Sequence, residues 1–124
     1  MLLFLSASFF PQNDITNEVV TLMKSGNSKA LSEHFAPKVD LAVPETDDVF
    51  SRAQAELILK KFFAAHPPTN MTVVHSGTSK LGVQYRICNL TTKNGVYRVS
   101  FNMKNTSNKL YIQQLRIEED TDNF

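Results

Sequence analysis

Three histidines, one cysteine and an uneven set of charges are the groups through which this 124-residue chain could do chemistry. General acid–base catalysis needs a carboxylate or imidazole within hydrogen-bond reach of the proton it moves. The acids are segregated, however: residues 57–117 hold nine lysines and arginines and no aspartate or glutamate. Residues 1–56 hold eight acids against four bases, the last residues add four more acids, and the net charge is +1. Asp40 is the carboxylate nearest to a useful position, with His34 six residues before it. An acid–base pair of those two competes with a plainer reading, a histidine at a helix C-terminus and an aspartate facing water, and the plainer reading is favoured. His34, His66 and His75 have no ligand spacing, and a single cysteine cannot build a multi-cysteine zinc site, so neither metal nor cofactor is expected. Cys88 falls on an apolar face with no base beside it in sequence and reads as a small core residue. An enzyme is disfavoured.

The hydrophobic pattern defines the elements that would position these groups. Asn13 or Asp14 can cap a helix with Ile15, Val19, Leu22 and Met23 on one face, and Gly26 suits the left-handed position that ends it. A short second helix carries Ala30, Leu31 and Phe35 and stops at Pro37. Val39, Leu41 and Val43 alternate as a strand closed by Pro44, and Glu45 to Asp48 reads as an acidic loop. Ser51-Arg52-Ala53-Gln54 is a capping box opening a third helix, with Leu57, Ile58, Phe62 and Phe63 expected in the core and Pro67-Pro68 as its stop. From Met71 the period becomes two. Segments 71–76, 83–92, 96–104 and 110–117 read as four antiparallel strands, and the order is α-α-β-α-β-β-β-β.

Asn94-Gly95 is the strongest hairpin signal, and as a two-residue loop it sets Lys93 opposite Val96, Leu90 opposite Val99 and Cys88 opposite Phe101. One face then carries Arg86, Cys88, Leu90 and Thr92 with Tyr97, Val99, Phe101 and Met103 and must pack on the helices. In the last strand the apolar parity switches between Ile112 and Leu115, which predicts a β-bulge near Gln113-Gln114 and a curved sheet. Arg86 on the core face is either a rim arginine with its head in water or an anion-binding group at the open end, with Tyr97 or Gln114 deeper in. The opposite face exposes Tyr85, Arg98, Asn102, Tyr111 and Gln113. Aromatic and arginine side chains favour protein interfaces, so pairing with a second copy is the first reading of that face. No motif of a nucleic-acid-binding fold is present, and no nucleic-acid partner is expected.

Met1 to Phe10 is apolar with Ser6-Ala7-Ser8 inside it, the form of the later part of a secretory signal peptide without its basic start. No apolar run is long enough to span a membrane. The expected division is therefore a signal-peptide remnant over 1–12, one domain over 13–119 and an acidic tail over 120–124.

Gly26-Asn27-Ser28-Lys29-Ala30-Leu31 followed by His34-Phe35-Ala36-Pro37-Lys38-Val39-Asp40-Leu41 resembles the opening of nuclear transport factor 2-like domains. Phe50-Ser51-Arg52-Ala53-Gln54-Ala55-Glu56, Val74-His75-Ser76-Gly77, Tyr97-Arg98-Val99 and Ile112-Gln113-Gln114-Leu115-Arg116-Ile117 are similar to one branch, a small secreted bacterial family of unknown function. The resemblance implies an α+β, cystatin-like cone with a curved antiparallel sheet on three helices, a homodimer through the sheet, and a secreted or periplasmic location. It implies no activity. Together with the residues, it leads to an exported, non-catalytic binding or interaction domain. The alternative is a pocket protein holding a small anionic molecule through Arg86, Tyr97 and Gln114.

Overall fold

The computed structural model describes residues 14–120, so the apolar opening segment and residues 121–124 lie outside the described part. The chain forms α1 (Thr16–Ser25), α2 (Ser28–Ser32), β1 (Phe35–Val43), β2 (Thr46–Ser51), α3 (Arg52–Ala65), β3 (Pro68–Thr78), β4 (Gln84–Thr92), β5 (Gly95–Thr106) and β6 (Lys109–Glu119). The fold is α+β, with three helices on a curved, unclosed six-stranded sheet in the order β2-β1-β6-β5-β4-β3. Neighbouring strands are antiparallel except β1 and β6, which run parallel.

The local signals act as their chemistry requires, with some displacements. α1 has Ile15 at its N-cap, and Asp14, one residue earlier, accepts the Thr16 N–H at 2.9 Å. Gly26 takes φ 69° at the C-terminal end, and the Asn27 N–H reaches back to the Leu22 carbonyl at 2.9 Å. The capping box of α3 forms with both bonds: the Gln54 N–H donates to Ser51 Oγ at 3.2 Å, and the Ser51 N–H donates to Gln54 Oε1 at 3.1 Å.

The stretch expected as an acidic loop is largely strand. Asp47 and Asp48 belong to β2, where they pair with Ala42 and Leu41 across an edge and keep their carboxylates in water. The element order thus gains one strand between the first strand and the third helix. In α3 the buried positions are Ala55, Leu59, Phe62 and Phe63, while Leu57 is 62% exposed. The apolar stripe is turned from the one expected, so that Leu59 and Ala55 meet the core in place of Leu57.

The β4–β5 register is displaced by two residues. Thr92 pairs with Gly95, Leu90 with Tyr97, Cys88 with Val99 and Arg86 with Phe101, so Lys93-Asn94 is the loop. Only Gly95 there has positive φ, at 133°; Asn94 does not. The type I′ signature sits at the next hairpin, where Ser107 and Asn108 have φ 53° and 67°. Because the shift is an even number, every side chain keeps its face. Arg86, Cys88, Leu90, Thr92, Tyr97, Val99, Phe101 and Met103 are all buried against the helices. The bulge in β6 lies where the parity break put it: Asn102 pairs with Gln114 and Met103 with Ile112, leaving Gln113 unopposed, and Leu110, Ile112, Leu115 and Ile117 all reach the core.

Candidate functional site

Arg86 rises from β4 into the space between the sheet and the start of α1 and is 8% exposed. A guanidinium has five N–H donors, and here each has an acceptor. Nε donates to Thr16 Oγ1 at 2.9 Å. Nη1 donates to the carbonyls of Tyr85 at 2.8 Å and Gly77 at 3.4 Å. Nη2 donates to Gln84 Oε1 at 3.1 Å and Asp14 Oδ2 at 3.4 Å. The Thr16 hydroxyl in turn donates to Asp14 Oδ1 at 2.5 Å. Burial alone would raise the Asp14 carboxyl, but the Thr16 hydroxyl and N–H and the Arg86 guanidinium together bring it below its ordinary value. The cluster ties the chain entering α1 to the β3–β4 edge and leaves no Arg86 N–H free for an incoming anion.

The three residues expected to share one pocket are not brought together. Tyr97 lies on the inner face four residues from Phe101, the partner of Arg86, a separation of roughly 13 Å along the strand. Gln114 is on the other side of the sheet. It accepts from Asn102 Nδ2 at 3.0 Å and donates to Asp40 Oδ2 at 3.2 Å. The bulge causes this: past Gln113, the positions of Gln114 and Arg116 turn outward. His34 and Asp40 also separate, since His34 meets Glu18 at 3.1 Å.

Tyr97 instead belongs to a cluster that local sequence signals did not mark. Its Oη lies 3.1 Å from His66 Nδ1, its ring meets Phe62 edge-on at 5.2 Å, and the His66 ring lies 4.8 Å from Phe62. Asn94 completes the group: its Nδ2 donates to the Ala65 carbonyl at 3.0 Å, and its Oδ1 is 2.9 Å from His66 Nδ1. Burial raises the Tyr97 phenol, and the charges of Glu119 and Glu45 raise it further. The helix-ending His66 is thus pinned by the β4–β5 turn. Its partners are 28 and 31 residues away in sequence, a relation no local spacing reveals.

Cys88 is fully buried, and burial pushes its thiol up to about 11 against a smaller opposing pull from Arg86. It is a free thiol packed in the core. Among the described residues no buried side chain is a carboxylate; the buried polar ones are Thr16, Ser28, Ser32, Arg86 and Thr92.

The outer face holds the residues expected there. Gly77, Tyr85, Asn102, Gln114 and Asp40 form one row across five strands. The Tyr85 ring occupies the space where a Gly77 Cβ would stand and lies 6.0 Å from the His75 ring. Arg98 is exposed opposite Glu118, with Asp120 Oδ1 at 3.9 Å. Tyr111 is half-buried under the Lys109 ammonium, 5.6 Å from its ring centre, and Gln113 projects at the bulge. Arg116 bridges Asp47 at 3.1 Å and Glu118 at 3.5 Å.

Comparison with known proteins fixes the family. A protein from Bacteroides uniformis ATCC 8492 shares 28% identity and superposes with a TM-score of 0.81, covering 88% of this chain and 100% of its own. One from Bacteroides fragilis YCH46 shares 32% identity at a TM-score of 0.79, covering 86% and 100%. Both are DUF4783 family proteins. At 11% identity and a TM-score of 0.64, covering 94% of each chain, Aln2 from a Streptomyces species is similar in fold alone, and that fold is nuclear transport factor 2-like. No curated protein matches the chain. The family model for DUF4783, a domain of unknown function, matches residues 16–118, and the chain belongs to that family.

Proposed function

We propose that the protein is an exported, non-catalytic interaction domain that pairs with a second copy through the outer face of its sheet. The observation that carries this reading is the contrast in filling. The inner face is closed by apolar side chains from Val19 to Ile117, with Arg86, the one buried cation among the described residues, fully bonded, while the outer face presents tyrosine, arginine and amide side chains. Such groups are enriched where protein surfaces meet. Absence of a buried carboxylate among the described residues argues against proton transfer inside the cone. Export is inferred from the apolar segment Met1 to Phe10 with its small residues. The reading of a small anion held by Arg86, Tyr97 and Gln114 has less support, because Arg86 has no spare donor and Gln114 faces outward.

Sedimentation velocity over a wide concentration range tests the pairing. The wild type is expected at the dimer mass. Tyr85→Ala combined with Arg98→Ala is expected at the monomer mass with an unchanged circular-dichroism spectrum. A wild type that stays monomeric at high concentration, or a double variant that stays dimeric, refutes it.

A further inference from the structure

Between the β1–β2 turn and the last turns of α3 lies a cleft of about 410 Å³. That volume falls in the range of small-molecule sites, roughly 300–1,000 Å³. Val43, Pro44, Ile58 and Phe62 give it apolar walls. Four polar side chains also line it: Glu45 and Thr46 from the turn and the start of β2, Lys61 from α3, and His66 just past the end of that helix. His66 has a defined tautomer. Because Asn94 Nδ2 is committed to the Ala65 carbonyl, Asn94 Oδ1 faces the ring, and Nδ1 must be the nitrogen that carries hydrogen. That hydrogen is shared between Asn94 Oδ1 and Tyr97 Oη, and in the neutral ring Nε2 is left as an acceptor with no partner among the described residues. Glu45 and Lys61 come from different elements, and neither side chain forms an ion pair or hydrogen bond among the described residues.

A carboxylate from the turn, an ammonium and a hydrogen-bond acceptor from the end of α3, and apolar side chains lining the same cleft are complementary to a small zwitterion with an apolar substituent. We propose that this cleft binds a free apolar α-amino acid. The ligand ammonium meets Glu45 and His66 Nε2, the ligand carboxylate meets Lys61, and the side chain lies against Ile58 and Phe62. An anion alone satisfies only Lys61, and an amine alone leaves Lys61 unmatched. The site is on the helix side of the cone, away from the outer face, so it stands or falls independently of the pairing proposed above.

The test uses the full chain with L-leucine as probe. Its comparators are 4-methylpentanoate, which lacks the ammonium, and 3-methylbutylamine, which lacks the carboxylate. The side-chain nitrogens of His66 are followed by ¹H–¹⁵N NMR, and melting temperature is followed in parallel. Millimolar leucine is expected to shift the Nε2 signal and raise the melting temperature by mass action. Each single-charge comparator, and leucine with Glu45→Gln or Lys61→Met, is expected to bind about tenfold more weakly, the loss of one charge-assisted hydrogen bond. Both substituted positions are exposed, so the ligand-free melting temperature should hold. Unmoved His66 signals at millimolar leucine, or equal affinity for leucine and either comparator, overturn the proposal.

Discussion

Arg86 and Arg116 stand on opposite faces of the same sheet, and burial sets how each is used. Arg86, inside, has all five donors placed on partners from α1 and the residue leading into it, β3 and β4, because an unmatched guanidinium N–H there would have no water to turn to. Arg116, outside and 31% exposed in its side chain, leans on Asp47 and Glu118 at the solvent boundary. The inner residue holds the fold together, whereas the outer one remains able to exchange partners. The same division runs down the sheet: Cys88, Leu90, Val99 and Phe101 are sealed, and Tyr85, Asn89, Arg98 and Asn102 are accessible to varying degrees.

Paired substitutions across the sheet can break this comparison. The largest contrast is expected at adjacent residues of β5. Phe101→Ala empties a fully enclosed position and is expected to cost about 3–5 kcal/mol in urea denaturation, while Ser100→Ala on the other side changes stability by less than about 0.5 kcal/mol. Equal losses would mean that both faces are packed. Next come the arginines. Arg86→Met removes the bonds to Thr16, Gly77, Gln84, Tyr85 and Asp14 and is expected to cost about 2–3 kcal/mol, against less than about 1 kcal/mol for Arg116→Met.

Gly77→Ala sharpens the picture of the outer face. Its new methyl must displace the Tyr85 ring, at an expected cost of about 1 kcal/mol, with the Tyr85 ring signals moving in NMR. Asp14 gives the smallest and most specific effect. Its folded pKa is depressed, so its contribution is present above the unfolded value, about 3.9, and disappears as pH falls through the folded one. The stability gap between wild type and Asp14→Asn should be open at neutral pH and close on the acid side of about pH 4. A gap that widens there contradicts the assigned bonds.

Much of this architecture is legible in the residues because short-range stereochemistry decides it. The Ser51 capping box, the Gly26 terminus and the parity break around Gln113-Gln114 each fix local geometry whatever surrounds them. The faces of β4 and β5 follow from alternation alone, since a register displaced by an even number leaves them unchanged. What depends on distant partners is not legible. Asp47 and Asp48 disguise β2 because an edge strand beside water tolerates charge. Leu57, Ile58 and Leu59 are consecutive apolar residues, and only packing chooses Leu59 as the buried one. Parity places Arg86 on the inner face, but its saturation depends on acceptors from three elements. The outward turn of Gln114 is hidden because the extent of the bulge, and the carboxamide chain to Asn102 and Asp40, emerge only in three dimensions.

The parallel pairing of β1 with β6 has a consequence for how the molecule is made. The strand of this sheet that comes last in sequence is the one that joins the early β1–β2 hairpin to the β3–β4–β5 meander. Until β6 leaves the ribosome, Phe35 through Val43 has an unmatched edge, and the contacts that satisfy it span more than seventy residues. Closure of such distant contacts is slow. A nascent chain stalled just short of Lys109 would therefore hold two sheets with open seams, in the state most exposed to capture by chaperones or by its own kind.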